Sequence, residues 1–185
     1  MRLTSQLEYG PYGHLICTPV SCALAVSFLV NAKNNDDVYD IISERKVREV
    51  MRASHTLYSK CFALAGRPLM LSEIQDRIPS ARVVYKEIAG MTTTAAADDL
   101  VEVENMVLQP LTTLIANLTH AREFGALVVT MKEHTTCYLA TERGHLYHFD
   151  PLPAMIKDIT TSWDQMRLPH VEYSGLLLHR AMMAT

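Results

Sequence analysis

The sequence has little excess charge of either sign. Its 185 residues include 17 lysines and arginines and 20 aspartates and glutamates, which gives a formal net charge of -3. The basic residues are dispersed along the chain, so there is no basic stripe of the kind that neutralises phosphates or attracts anionic lipids. We therefore expect neither nucleic acid nor a membrane surface as a partner.

The sequence also shows no signal-peptide pattern in residues 1–10, no long apolar run and no Cys-x-x-Cys pair. Met1–Gly10 contains no apolar core of a signal peptide, and the longest apolar stretch, residues 23–30, is too short to cross a bilayer. The cysteines are Cys17, Cys22, Cys61 and Cys137. No Cys-x-x-Cys pair is present, which disfavours a zinc site and a disulfide framework. We expect an intracellular protein with reduced thiols and no metal or other cofactor.

The composition is that of an ordinary globular domain, with 49% hydrophobic and 20% charged residues. The chain is long enough to bury a core by itself, so we expect residues 1–185 to form a single, monomeric domain. Helical patterns dominate the first half, in which a second helix is predicted after residues 34–37 and through residue 51. The predicted strands are residues 82–86, 126–131, 136–141, 146–149 and 174–179. A loop is predicted at Gly90 and residues 92–97, and a further helix is predicted to start at residues 98–99. The predicted fold class is α+β, with an N-terminal helical part packed on a C-terminal antiparallel sheet.

Cys17 stands at the start of a predicted helix. Pro19 suits a first helical turn, and residues 20–30 are apolar on nearly every side, so this helix should run through the core. A helix N-terminus lowers the pKa of a cysteine and helps to stabilise an oxyanion. Cys22 lies further into the helix and is predicted to be a buried small hydrophobe. Because a cysteine in this position is by itself more often structural, Cys17 needs partners to be a nucleophile.

Two candidate partners lie in a predicted hairpin. His134 opens one strand, Asp150 closes the next, and a tight turn is predicted at Glu142–Gly144. Folding the hairpin brings His134 and Asp150 side by side, which suits a general base and the carboxylate that orients it. The alternative is that His134 begins a strand without a chemical role and that Asp150 belongs to a turn.

Four segments of the chain occur in the order seen in herpesvirus large tegument protein deubiquitinase domains. They are Tyr9–Gly13, Cys17–Cys22, Phe149–Pro151 and Glu172–Gly175. The chain resembles that family over nearly its whole length. The resemblance implies a papain-like fold, with Cys17 as the nucleophile of a peptidase that cleaves ubiquitin or a ubiquitin-like protein from conjugates. It also implies that Gln6 contributes to the oxyanion hole and that the protein works in the host cytoplasm or nucleus, or in the virion tegument.

Two positions depart from the pattern of that family. The sequence pattern of that family resembles Asp-Pro-His, with the catalytic histidine two residues after the aspartate. This chain instead has Leu152 after Asp150 and Pro151. The residue before Cys17 is Ile16, where the family has glutamine. The base that the family uses is therefore missing from its expected place.

Three explanations can account for the absence of the family's histidine. His134 can serve as the base, which residue order and hairpin geometry favour on chemical grounds. His148 can serve instead, because it lies two residues from Asp150 and so on the same face of the strand. The third explanation is a non-catalytic relative that binds ubiquitin or another partner. A cysteine protease that acts on some other protein remains a further alternative, since substrate choice depends on surface shape.

Overall fold

The computed structural model describes residues 5–32, 37–74, 83–91, 113, 115–131, 134–163 and 173–180. The α-helices are α1 (Cys17–Asn31), α2 (Val38–Ile41), α3 (Glu44–Cys61) and α4 (Leu71–Ile74). The short 3₁₀ helices are η1 (Gln6–Glu8), η2 (Gly13–Leu15) and η3 (Ala63–Ala65). The strands are β1 (Val83–Met91), β2 (Gly125–Met131), β3 (His134–Ala140), β4 (Leu146–Asp150), β5 (Met155–Asp158) and β6 (Tyr173–Arg180). Residues 115–120 are also helical.

The six strands form one sheet in the order β1-β6-β2-β3-β4-β5, and each neighbouring pair is antiparallel. The strands predicted at residues 126–131, 136–141 and 146–149 are β2, β3 and β4, and β3 begins at His134, earlier than predicted. The α+β fold class with an antiparallel sheet is confirmed. The sheet is not purely C-terminal, however, because β1 comes from the middle of the chain and pairs with β6.

The predicted turn between β3 and β4 has the backbone that a glycine permits. Gly144 has a φ of 80°, and its N–H donates to the Thr141 carbonyl at 2.9 Å. The left-handed conformation at Gly144 costs little because glycine has no Cβ. This turn fixes the register in which Cys137 lies opposite Phe149, and the register carries His134 and Asp150 to the same end of the sheet.

Helix α1 lies at the centre of the core, as the sequence predicts. Eleven of its fifteen residues are buried, among them Val20, Leu24 and Phe28. The helix packs against β2 and β3 on one side and against α3 on the other. A helix that is apolar on all sides is stable only when it is covered in this way. No helix in the described part of the chain is long and apolar enough to cross a membrane.

The second predicted helix is two helices in the structure. The sequence predicts one helix through residues 41–51, but α2 ends at Ile41 and α3 begins at Glu44. Ser43 causes the restart, because its side chain accepts a hydrogen bond from the Lys46 N–H at 3.3 Å and so caps α3. Helix α3 then continues to Cys61. Its buried residues are Val47, Val50, Met51, Ser54 and Tyr58.

Strand β1 is longer than the sequence predicts. Gly90 is predicted to follow the strand in a loop, yet β1 continues to Met91. The pairing of β1 with β6 shifts register between Ile88 and Met91, and a glycine is typical of such an irregularity. The predicted loop at Thr92–Ala97 and the helix start at Asp98 and Asp99 lie outside the described residues.

Candidate active site

Cys17 is the first residue of α1, and its side chain is buried. The N-cap residue, Ile16, makes no side-chain capping hydrogen bond to the helix, and Pro19 has no N–H. A negative charge on the sulfur therefore meets the positive end of the helix without competition from a capping side chain. This local electrostatic environment favours a thiolate over a thiol.

His134 and Asp150 form a hydrogen-bonded pair across β3 and β4. Nε2 of His134 lies 2.8 Å from Oδ1 of Asp150. Continuing the register beyond Cys137 and Phe149 places Asp150 diagonally across from His134 on the same face of the sheet. A carboxylate only accepts hydrogen bonds, so Nε2 donates the proton. Nδ1 is then the ring nitrogen that can take a proton from a thiol.

Cys17 and His134 favour the charged form of each other. Burial raises the pKa of the Cys17 thiol, but the hydrogen bond and the positive charge of His134 outweigh burial and lower it below its usual value. Burial lowers the pKa of His134, but hydrogen bonds with Asp150 and Cys17 raise it to about 9. The two groups titrate as a pair. The two side chains therefore favour a thiolate beside an imidazolium more than either would if it were isolated.

Asp150 is held as an oriented carboxylate. Burial raises its pKa, but hydrogen bonds from His134 and from the Leu152 N–H lower it below its usual value. The Leu152 N–H donates to Oδ1 at 2.9 Å, which is an Asx turn. Leu152 occupies the position at which the resembled family has its histidine, and its side chain is 42% exposed. At this position the chain thus contributes a backbone N–H to Asp150 and no ionisable side chain.

His148 lies elsewhere on the same face of the sheet. Its ring packs on Tyr138, with the ring centroids 4.9 Å apart. Burial lowers the pKa of His148 to about 4, so the ring is neutral at physiological pH. The side chains that shift the pKa of Cys17 are those of His134 and Thr135. The structure brings His134 to the thiol, and the catalytic role of either histidine remains a prediction.

Gln6 lies against the end of β4. Its side chain is 1% exposed, and its N–H donates to the Pro151 carbonyl at 3.3 Å. The Ser5 hydroxyl also donates to the Leu152 carbonyl. Among the described residues, Oε1 of Gln6 has no hydrogen-bond partner. The structure therefore places Gln6 beside the segment that orients Asp150, and its oxyanion-hole role remains a prediction.

The other three cysteines are either buried with a raised pKa or lie away from the N-terminus of α1. Burial raises the pKa of Cys22 to about 12 and raises that of Cys137 well above its usual value. Cys61 is exposed at the last residue of α3. In the described part of the chain, no group of three or more histidine, cysteine, aspartate or glutamate side chains could hold a metal ion. Of the three buried cysteines, Cys17 is the one whose surroundings lower its pKa.

A buried hydroxyl network beside the site was not predicted from the sequence. Thr18 Oγ1 donates to the Leu69 carbonyl at 2.6 Å and lies 2.8 Å from Thr135 Oγ1. Thr135 Oγ1 is also 2.9 Å from Thr130 Oγ1. The Ser21 hydroxyl donates to the Thr135 carbonyl at 3.0 Å. The available signal was that a threonine directly follows both the candidate nucleophile and the candidate base in the sequence.

The comparisons with known proteins identify the fold. No protein-family model matches the chain, and no curated protein matches its sequence. A similar solved structure is the ubiquitin-specific protease encoded by murine cytomegalovirus tegument protein M48, in complex with a ubiquitin-based suicide substrate. The sequences are 18% identical, the TM-score is 0.55, and the match covers 100% of this chain and 88% of that chain. The chain has a papain-like fold. At this identity, the similarity supports a fold like that of the viral protease and no finer assignment.

Proposed function

We propose that the protein is a cysteine-type deubiquitinase that hydrolyses bonds after the C-terminal Gly-Gly of ubiquitin through a thioester on Cys17. The observation that carries the proposal is the hydrogen-bonded path from Cys17 through His134 to Asp150 at the start of a buried helix. The fold similarity to a viral ubiquitin-specific protease supports ubiquitin as the substrate. Ubiquitin and its conjugates are then the partners, and the site of action is intracellular.

The first half of the reaction forms the thioester. The Cys17 thiolate attacks the carbonyl carbon of the last ubiquitin glycine, while the proton from the thiol stays on Nδ1 of His134. The oxygen of the tetrahedral intermediate becomes negative. In the proposed mechanism, the positive end of α1 and a side-chain amide N–H of Gln6 stabilise that charge. Asp150 keeps the imidazolium oriented and stabilises its positive charge.

The second half releases ubiquitin. His134 gives its proton to the departing lysine amine of the conjugate, which breaks the isopeptide bond and leaves the acyl group on Cys17. Neutral His134 then takes a proton from a water molecule that attacks the thioester carbonyl. The ubiquitin carboxylate leaves, and His134 again faces Cys17. The proton given to the amine and the first proton taken from water pass through the ring of His134, and the second water proton is released to solvent as the ubiquitin acid ionises.

Hydrolysis of an isopeptide-linked ubiquitin dimer tests the proposal. We expect the purified protein to convert the dimer to ubiquitin whose C-terminus is a free carboxylate, detected by intact mass. Cys17→Ala should abolish turnover, because it removes the nucleophile. Cys22→Ala is the matched control on the same helix and should retain turnover.

Two other outcomes would contradict the proposal and identify its replacement. A folded protein that binds ubiquitin and leaves the dimer intact would be a binding module with a papain-like fold. A protein that neither binds nor cleaves ubiquitin, but whose Cys17 is alkylated faster than an ordinary thiol, would be a hydrolase for another substrate.

A further inference from the structure

The Thr135 hydroxyl lies where three other groups converge. Its Oγ1 is 2.8 Å from Thr18 Oγ1 and 2.9 Å from Thr130 Oγ1. The hydroxyl and the backbone N–H of Thr135 also lie within hydrogen-bond reach of the Cys17 sulfur, where both favour the thiolate. Thr135 is 0% exposed, so bulk water does not reach its hydroxyl and its hydrogen-bond partners are the buried groups around it. The direction of each hydrogen bond is therefore set within the network.

The Leu69 carbonyl fixes those directions when Cys17 is protonated. A carbonyl oxygen only accepts, so Thr18 uses its single hydroxyl proton on Leu69, at 2.6 Å. The contact between Thr18 and Thr135 then requires the proton of Thr135. Thr130 in turn donates to Thr135. The hydroxyl protons therefore run in one direction, from Thr130 through Thr135 and Thr18 to the Leu69 carbonyl.

Ionisation of Cys17 creates a stronger acceptor beside the same hydroxyl. We propose that Thr135 is a further catalytic residue, whose hydroxyl turns from Thr18 to the Cys17 sulfur when the thiol proton passes to His134. The inference rests on Cys17 being the nucleophile of the proposed function. The thiol proton goes to Nδ1 of His134, Thr135 keeps its own proton, and no covalent bond other than S–H is broken. The thiolate then has hydroxyl and backbone N–H donors from Thr135 in addition to His134.

Titration of the thiolate by its ultraviolet absorbance tests this role without any ubiquitin. The titration uses a Cys61→Ser background, and the signal of the same protein with Cys17→Ala is subtracted. Thr135→Val removes the hydroxyl and should reduce the thiolate fraction about 10-fold at pH values a unit or more below the wild-type midpoint, because hydrogen bonds to a charged group are strong. Thr135→Ser keeps a hydroxyl and should restore the wild-type titration.

Thr136→Val is the matched control. Thr136 is the next residue of β3 and points to the opposite face of the sheet. Its hydroxyl is buried and has no hydrogen-bond partner among the described residues, so its loss should leave the titration unchanged. Thermal unfolding is measured for every variant. Thr135→Ala replaces the valine variant if the latter does not fold.

Thr18→Val separates a catalytic hydroxyl from a merely structural network. This variant leaves the Leu69 carbonyl without its hydroxyl donor and should lower the melting temperature. It also removes the rival acceptor for the Thr135 proton, so the thiolate fraction should stay the same or rise. A network that only positions Cys17 would lower the thiolate fraction in both Thr18→Val and Thr135→Val, and that result would overturn the proposal. An unchanged titration in folded Thr135→Val would overturn it as well.

The result is independent of the substrate. If the wild-type protein leaves ubiquitin dimers intact and Thr135→Val still shifts the titration, the role of Thr135 at the thiolate stands and the deubiquitinase proposal fails. If the dimers are cleaved and Thr135→Val titrates like the wild-type protein, the deubiquitinase proposal stands and the role of Thr135 fails.

Discussion

Nε2 of His134 and Oδ1 of Asp150 lie 2.8 Å apart, although 16 positions separate the two residues in the sequence. The same Oδ1 accepts the Leu152 N–H at 2.9 Å. The resembled family takes its histidine from the residue that follows Asp-Pro. Here that residue orients the aspartate through its backbone, and a histidine from the neighbouring strand hydrogen-bonds with the carboxylate instead.

The identity of the base can be tested by substituting the two histidines near Asp150. We expect His134→Ala to reduce ubiquitin-dimer cleavage to background, because the thiol then has no proton acceptor and is mostly protonated near neutral pH. His148→Phe keeps an aromatic ring on Tyr138 and should retain most of the activity. Initial rates at equal protein concentration measure both effects. Loss of activity in His148→Phe with retention in His134→Ala would reverse the assignment.

The oxyanion-hole role of Gln6 can be tested by substituting Gln6 itself and by substituting Gly13, which lies against the Gln6 backbone. We expect Gln6→Ala to lower turnover by about 10²-fold, as removal of an oxyanion donor does. A Cβ at Gly13 would lie 2.5 Å from the Gln6 carbonyl oxygen, so Gly13→Ala should displace η1 and lower turnover too. Steady-state kinetics separate this loss from a change in substrate binding.

Gly66→Ala is the contrasting control for Gly13→Ala. A Cβ at Gly66 meets nothing within 4 Å, but φ there is 63°. Alanine is strained in this left-handed conformation and should cost about 1 kcal/mol of stability without changing turnover.

Normal turnover in Gln6→Ala would contradict a role for Gln6 in the oxyanion hole.

The activity should depend on pH in two opposite senses. Cleavage should rise with pH as Cys17 ionises, at a pH below the usual range for a thiol because its pKa is lowered. It should fall again as pH rises through about 9, where His134 loses the proton that the leaving amine needs. Alkylation of Cys17 by iodoacetamide needs the thiolate but no proton donor, so its rate should not fall at alkaline pH. If the cleavage rate and the alkylation rate both decline above about pH 9 while circular dichroism shows an intact fold, the role of His134 is contradicted.

His148 should make the fold sensitive to acid. Burial lowers its pKa from 6.5 to about 4 in the folded protein, so the folded state favours the neutral ring. The corresponding stability is present above pH 6.5 and is lost as pH falls through about 4. Between neutral and acid pH, we expect the free energy of unfolding to fall by ~1–3 kcal/mol less in His148→Phe than in the wild-type protein. Urea unfolding at several pH values measures the difference, and parallel curves for the wild-type protein and the variant would contradict the expectation.

The parts of the site that the sequence predicts are those fixed by local rules. Pro19 and the apolar run after it predict the helix that begins at Cys17, and Gly144 predicts the turn that aligns β3 with β4. Given that turn, strand pairing alone carries His134 and Asp150 to one end of the sheet. Local patterning therefore predicts the placement of three residues of the candidate site.

The parts that the sequence does not predict depend on contacts between distant segments. Strand β6 inserts between β1 and β2, and no local pattern encodes that order. The contact between Thr18 and Thr135 joins residues 117 positions apart. The restart of the second helix is not predicted for a different reason, because the capping residue Ser43 lies within an otherwise helical pattern.

The most direct measurement is the reaction of the protein with ubiquitin that carries a C-terminal thiol-reactive group, followed by peptide mapping of the adduct. We expect one ubiquitin per protein, attached at Cys17, with labelling abolished by Cys17→Ala, strongly slowed by His134→Ala and unaffected by Cys22→Ala. Attachment at another cysteine, or a folded protein that binds the reagent and forms no adduct, would contradict the central claim that Cys17 and His134 cleave ubiquitin conjugates.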